Sequence, residues 1–271
     1  MNIRTALITL TAAVSAASLS AGCTGAAAES PALADRPTVV LVHGAFADSS
    51  SWNGVIEQLE ARGYPVVAAA NPLRGLAADA AYVRSVVDSA AGPVVLAGHS
   101  YGGSVISEAA ERSPDVKALV YVASFLLEVG ESTGQLAAKF PGAELGPALD
   151  AVPYPLPDGG TADELYIKQD QFAAVFATDV PADVATLMAA TQRPITAAAL
   201  EDPATKAAWK TIPSWNMVTT QDLAIPAESM RFMGERAGSQ SVEIDASHAV
   251  TVSQPDAVAD LIDQAAGATD S

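Results

Sequence analysis

A serine held between glycines is the first place where this sequence could do chemistry. Gly98-His99-Ser100-Tyr101-Gly102 fits G-x-S-x-G, a pattern in which a strained turn lifts the serine hydroxyl above the end of a sheet. The pattern is short, and a serine that merely caps a helix would also satisfy it. A serine that attacks a carbonyl needs a base for its proton, a group that orients the base, and N–H donors for the oxyanion.

The chain has three histidines. His99 lies beside the serine in a turn so sharp that its side chain is expected to face the sheet as a packed, hydrogen-bonded residue. His43 ends the first apolar run, where it could meet a substrate or hold its own loop. His248, in "DASHAV" after the last expected strand, is read as the base. The order Ser…Asp…His places the orienting acid between them. Asp222 in "TTQDLAIP" is preferred, although it could instead cap the helix that begins near Pro226. Asp245, three residues before His248, is the competitor. The backbone N–H groups of Ala45 and Tyr101 are the expected oxyanion donors, with Gly44 allowing its loop to come close.

Such residues converge only if a sheet places them at one edge. Short apolar runs ("TVVLVHG", "YPVVAAANP", "PVVLAG", "VKALVYVAS") alternate with helical patterns from Pro37 to Ser124, which predicts βαβ units and a parallel sheet. Strand and helix resume with "SWNMVTT", "AESMRFMGERAG", "QSVEID" and "PDAVADLIDQAA". Residues 126–212 interrupt the alternation. They are read as a helical lid, with helices in "DELYIKQDQFAAVFA", "PADVATLMAAT" and "DPATKAAWK", a proline- and glycine-rich loop in "VPYPLPDGG", and no strand pair. Phe172 and Phe176, one helical turn apart, could line a substrate pocket or pack the lid on the core. No internal repeat is visible, and one α/β domain over residues 37–266 is expected.

With 31 acidic and 14 basic residues and a net charge of −17, the chain cannot offer the basic footprint that nucleic acid requires. Three scattered histidines make no metal-ligand cluster, so neither metal nor cofactor is expected. Residues 1–22 read as an export signal, with Arg4 ahead of a run of small apolar residues. Cys23, the only cysteine, follows as in a lipoprotein cleavage site, which would anchor the protein to a membrane. Cleavage after Ala32-Leu33-Ala34, giving a secreted protein, is the alternative. Residues 23–36 read as a tether and 267–271 as a tail.

The stretches "LVHGAFADSSSW", "GHSYGG", "TTQDLAIP" and "SHAV" resemble the α/β-hydrolase superfamily, and within it the small-lid branch of plant methylesterases and hydroxynitrile lyases. The resemblance spans nearly all of residues 37–266. It implies an α/β-hydrolase fold, a mostly parallel sheet of about six strands with a helical lid after the fourth, and Ser100, Asp222 and His248 as nucleophile, acid and base. The lyases carry lysine after the histidine and threonine after the first-strand histidine, where this chain has Ala249 and Gly44. The resemblance therefore favours hydrolysis of small carboxylic esters or lactones. A cofactor-free lyase or perhydrolase, or a small-molecule receptor of the same fold, stands as the alternative.

Overall fold

The computed structural model describes residues 36–268. Cys23, the export segment and all but the last residue of the tether lie outside the described residues.

Six strands form one sheet: β1 Thr38–Val42, β2 Val66–Ala69, β3 Val94–Ser100, β4 Val116–Ser124 and, after the insertion, β8 Ser214–Thr219 and β9 Gln240–Ile244. Every pairing is parallel, in the order β2-β1-β3-β4-β8-β9. β1 and β3 are buried along their whole length, as expected of central strands covered by helices on both faces. The edge strand β9, "QSVEI", is mostly exposed and correspondingly polar. Around the sheet, α1 Asn53–Ala61 packs on α10 Pro255–Gly267, and α2 Leu76–Ser89 packs on α3 Tyr101–Ala109. α8 Ala227–Ala237 covers β8, and α9 Val250–Ser253 follows β9. These strands and helices follow the sequence-predicted runs closely.

The chain moves from β1 outward to β2, then returns to β3 on the other side of β1. Connections therefore diverge at the carboxyl ends of β1 and β3, leaving the crevice where ligands bind in open α/β sheets. The loop at Gly44 and the turn at Ser100 lie at those two strand ends.

The insertion departs from the helical lid expected of it. It contains α4 Thr133–Ala137, α5 Gln169–Phe176, α6 Ala182–Thr191 and α7 Ala197–Glu201, but also a hairpin of β5 Leu149–Pro155 and β6 Thr161–Ile167. A short β7, Ile195–Thr196, extends it to three antiparallel strands. "DELYI", expected as helix, is strand, because it pairs antiparallel with β5, from Leu149 opposite Ile167 to Pro153 opposite Asp163. Pro153 and Pro155 fit because β5 is an edge strand, where a missing N–H is tolerated. The proline-rich loop supplies the turn, which Leu156 N–H closes onto Gly160 O at 2.8 Å with Gly159 at φ 88°. "DPATKAAWK" is largely loop with one 3-10 turn at Ala208–Lys210. Its backbone N–H groups at Thr205 and Lys206 are taken by the Glu108 carboxylate instead of a helix ladder.

β1, β3 and α3 meet at backbone distance. A Cβ on Gly98 would fall 2.6 Å from the carbonyl of Gly102, and one on Gly102 would overlap the Val42 carbonyl oxygen. Gly102→Ala is therefore expected to destabilise by about 2 kcal/mol or more, since backbone rather than a flexible side chain must move. Gly146→Ala, at a site with nothing within 4 Å, is the control, with an expected change within about 0.5 kcal/mol. Urea denaturation of both variants checks the difference.

Candidate active site

Ser100 ends β3 and precedes α3 with φ 54° and ψ −127°, a left-handed conformation costly for a residue with a Cβ. The sheet and helix hold it there, and the Ser124 hydroxyl donates to the Ser100 carbonyl at 2.6 Å. Tyr101, the first residue of α3, presents one of the N–H groups that a helix leaves without an intrahelical partner. Its side chain is anchored away from the serine, donating its hydroxyl to Asp79 at 2.9 Å. Asp79 also accepts from the N–H groups of Arg74 and Gly75, yet burial raises its carboxyl above the ordinary range.

The loop after β1 lies against the serine. A Cβ at Gly44 would sit 2.6 Å from Ser100 Cβ and 3.2 Å from Oγ, so only glycine allows this approach. Ala45 N–H has no hydrogen-bond partner among the described residues. Phe46 takes φ 60° and is pinned through its N–H to Arg193 O at 3.0 Å.

His248 Nδ1 lies 2.7 Å from Asp222 Oδ2, with both side chains buried. Thr219 Oγ1 donates to the same oxygen at 2.8 Å, and the N–H groups of Ala224 and Ile225 donate to the other at 2.8 Å each. A carboxylate can only accept, so Nδ1 carries the imidazole proton and Nε2 is left with a lone pair. Asp245 is exposed, and among the described residues its side chain hydrogen-bonds only Thr220 Oγ1, at 3.4 Å. Of the two acids weighed from sequence, Asp222 is the one brought to His248.

The other histidines are structural in their contacts. His99, wholly packed, donates from Nε2 to the His248 carbonyl at 2.8 Å, and burial lowers its pKa to about 3. His43 donates from Nδ1 to Gly44 O at 2.9 Å, while its own carbonyl accepts from Asn71 Nδ2. Burial lowers its pKa to about 4. With no exposed surface, His43 holds its loop rather than meeting solvent.

Phe172 and Phe176 are fully buried. The Phe176 ring stands edge-on to His248 with centroids 4.7 Å apart, and Phe172 packs behind it at 5.0 Å. Neither lines the cleft of about 200 Å³ that runs between Phe46, Ala47 and Asp48 on the β1 loop and Val184, Leu187 and Met188 on α6, and Ser100, Asp222 and His248 are not in its lining either. Sequence reasoning did not single out Thr219, Asp79 or Ser124. Only Thr219 had a local signal, its spacing of three from Asp222.

Residues 39–261 match the model of the alpha/beta hydrolase family. Alpha/beta hydrolase nvfD of Aspergillus novofumigatus is 28% identical over 86% of this chain and 97% of its own. The pyrethroid hydrolase of Sphingobium wenxiniae is 29% identical over 83% of this chain and 85% of its own. The crystal structure of polyneuridine aldehyde esterase superposes with a TM-score of 0.73 at 21% identity, covering 84% of this chain and 98% of that one.

The buried histidines make stability depend on pH. Both titrate near 6.5 when unfolded, but at about 4 (His43) and about 3 (His99) when folded. Below the unfolded value the unfolded chain binds more protons, so their contribution is complete above about pH 6.5 and is lost as pH falls through the folded values. The urea midpoint is expected to fall from pH 6.5 towards pH 4. In His99→Gln the slope of stability against pH near pH 5 should shrink by about one proton. An unchanged slope would mean that His99 is charged in the folded protein.

Proposed function

The chain belongs to the alpha/beta hydrolase family, and we propose that it is a serine hydrolase cleaving carboxylic esters or lactones of small molecules through an acyl-enzyme on Ser100. The observation that carries this reading is the buried 2.7 Å contact between His248 Nδ1 and Asp222, which leaves Nε2 free to act as a base. The names of the pyrethroid hydrolase and the polyneuridine aldehyde esterase add support.

In this reading Ser100 Oγ attacks the ester carbonyl as His248 Nε2 takes its proton. The carbonyl oxygen becomes an oxyanion met by the N–H groups of Ala45 and Tyr101, dipoles already oriented by the β1 loop and the start of α3. Asp222 balances the imidazolium. The tetrahedral intermediate collapses, the C–O bond breaks, and the alcohol leaves with the proton from His248. Water, deprotonated by the same nitrogen, then attacks the acyl-enzyme and releases the acid and Ser100. The apolar walls of the cleft beside Phe46 give an alkyl or aryl group of the ester a place to sit.

Nothing in the site favours the lyase reading, which needs a cation to receive a departing cyanide. Ala249 follows the base, and Arg231 and Arg236, the basic residues that most closely precede it, are paired with Glu243 and Glu131. For location, we propose export with lipid attachment at Cys23.

Ser100→Ala is expected to abolish turnover of short p-nitrophenyl esters and labelling by a fluorophosphonate; labelling of the variant at the parent rate would overturn the nucleophile assignment. Asp222→Asn should lower kcat by about 10⁴, as loss of the orienting carboxylate does in a well-studied triad protease, whereas Asp245→Asn should stay within about twofold because its side chain is exposed. Cys23→Ser should move the protein from the membrane fraction to the medium, and a mature wild-type N-terminus without fatty acid would show that it is freely secreted.

A further inference from the structure

His248 sits on the short connection between β9 and α9, and the sheet ties down only its beginning. Thr220 N–H bonds Ile244 O at 2.9 Å and Gln221 N–H bonds Ala246 O at 3.1 Å. From Ser247 onward the lid takes over. Ser247 N–H donates to Asp179 Oδ2 at 3.1 Å, and Ser247 Oγ donates to Asp179 Oδ1. Ala249 N–H donates to Phe176 O at 3.0 Å. Both peptide N–H groups that flank His248 in the chain thus end on lid residues 176–179, where α5 stops and a turn closes from Val180 N–H to Ala177 O. The Phe176 ring rests against the imidazole from the same segment.

We propose that Asp179 is a positioning residue for His248, through which the seating of the lid sets the alignment of the base. This rests on the reading of His248 as base. Asp222 fixes one ring nitrogen and His99 holds the residue's carbonyl, but the backbone on either side can shift or twist unless the lid holds it. Proton transfer is sensitive to such a shift, because a misplacement of about 1 Å can cost about 10²-fold in rate. The two oxygens of Asp179 accept two donors from one residue, a geometry that an amide cannot reproduce because its nitrogen accepts nothing. Asp179 itself is exposed, so replacing it opens no core cavity and the protein should remain folded.

The test uses the full mature chain with Asp179→Ala, Asp179→Asn and Asp179→Glu. Asp179→Ala is expected to lower kcat on p-nitrophenyl acetate about tenfold with KM within about twofold, a loss confined to the step that needs an aligned base. Asp179→Asn, keeping one acceptor, should fall between, and Asp179→Glu should recover part of the loss. The low-field proton resonance of the His248 Nδ1–H, assigned by its disappearance in His248→Gln, should broaden in Asp179→Ala and persist in Asp179→Glu. A purely structural role would lower the melting temperature while leaving kcat at 25 °C and the resonance unchanged, and that result would overturn the proposal. If the wild type shows no Ser100-dependent turnover, the esterase reading fails while the resonance still decides whether Asp179 holds His248.

Discussion

The hydrogen bond between Asp222 and His248 exists only because β8 and β9 pair in one register. Thr219 lies opposite Ile244, so the loops that leave these strands run side by side and bring together side chains 26 residues apart. The bond is buried, and low polarity around it strengthens the attraction but makes any unpaired charge costly. The surrounding residues meet that constraint with donors alone: two loop N–H groups and the Thr219 hydroxyl, in addition to the imidazole. A one-residue slip of the edge strand would turn every β9 side chain to the opposite face and move the histidine loop away from the acid.

Crowding governs the serine in a comparable way. Backbone from β1, β3 and α3 meets at distances that exclude side-chain carbon at Gly44, Gly98 and Gly102. The same crowding holds Ser100 in a left-handed conformation that an isolated chain would leave. Strain at one residue is thereby offset by packing over three elements. Ala45 N–H is left without a hydrogen-bond partner among the described residues, and Tyr101 N–H lies at the open start of α3. Because β1 and β3 are parallel neighbours, both loops leave the same end of the sheet, where the strand order reverses.

The lid is more than a cover. Its hairpin, α5 and α6 form a layer whose residues reach the site from above: Arg193 O holds Phe46, Phe176 packs on His248, and Asp179 binds Ser247. Val184 and Met188 on α6, which line the cleft beside Phe46, sit on the same layer.

The sequence by itself determined the strands and helices of the α/β body, because apolar runs, helical spacing and glycine stops are local signals that parallel-sheet burial reinforces. It also placed Ser100, Ala45, Tyr101 and His248 at one edge, since each falls just past or at the end of an apolar run. The hairpin's turn was written there too, in the turn residues of "PLPDGG", but "DELYI" carries no period-two alternation, so only its pairing with β5 made it a strand. Tertiary structure alone decided between Asp222 and Asp245, because both end strands at the same edge and only pairing register brings one to the imidazole. It alone showed Phe176 against His248, and Asp179 holding Ser247 across 68 residues of chain. Such contacts join elements whose local patterns are independent of one another, and only packing of the lid onto the sheet brings them together.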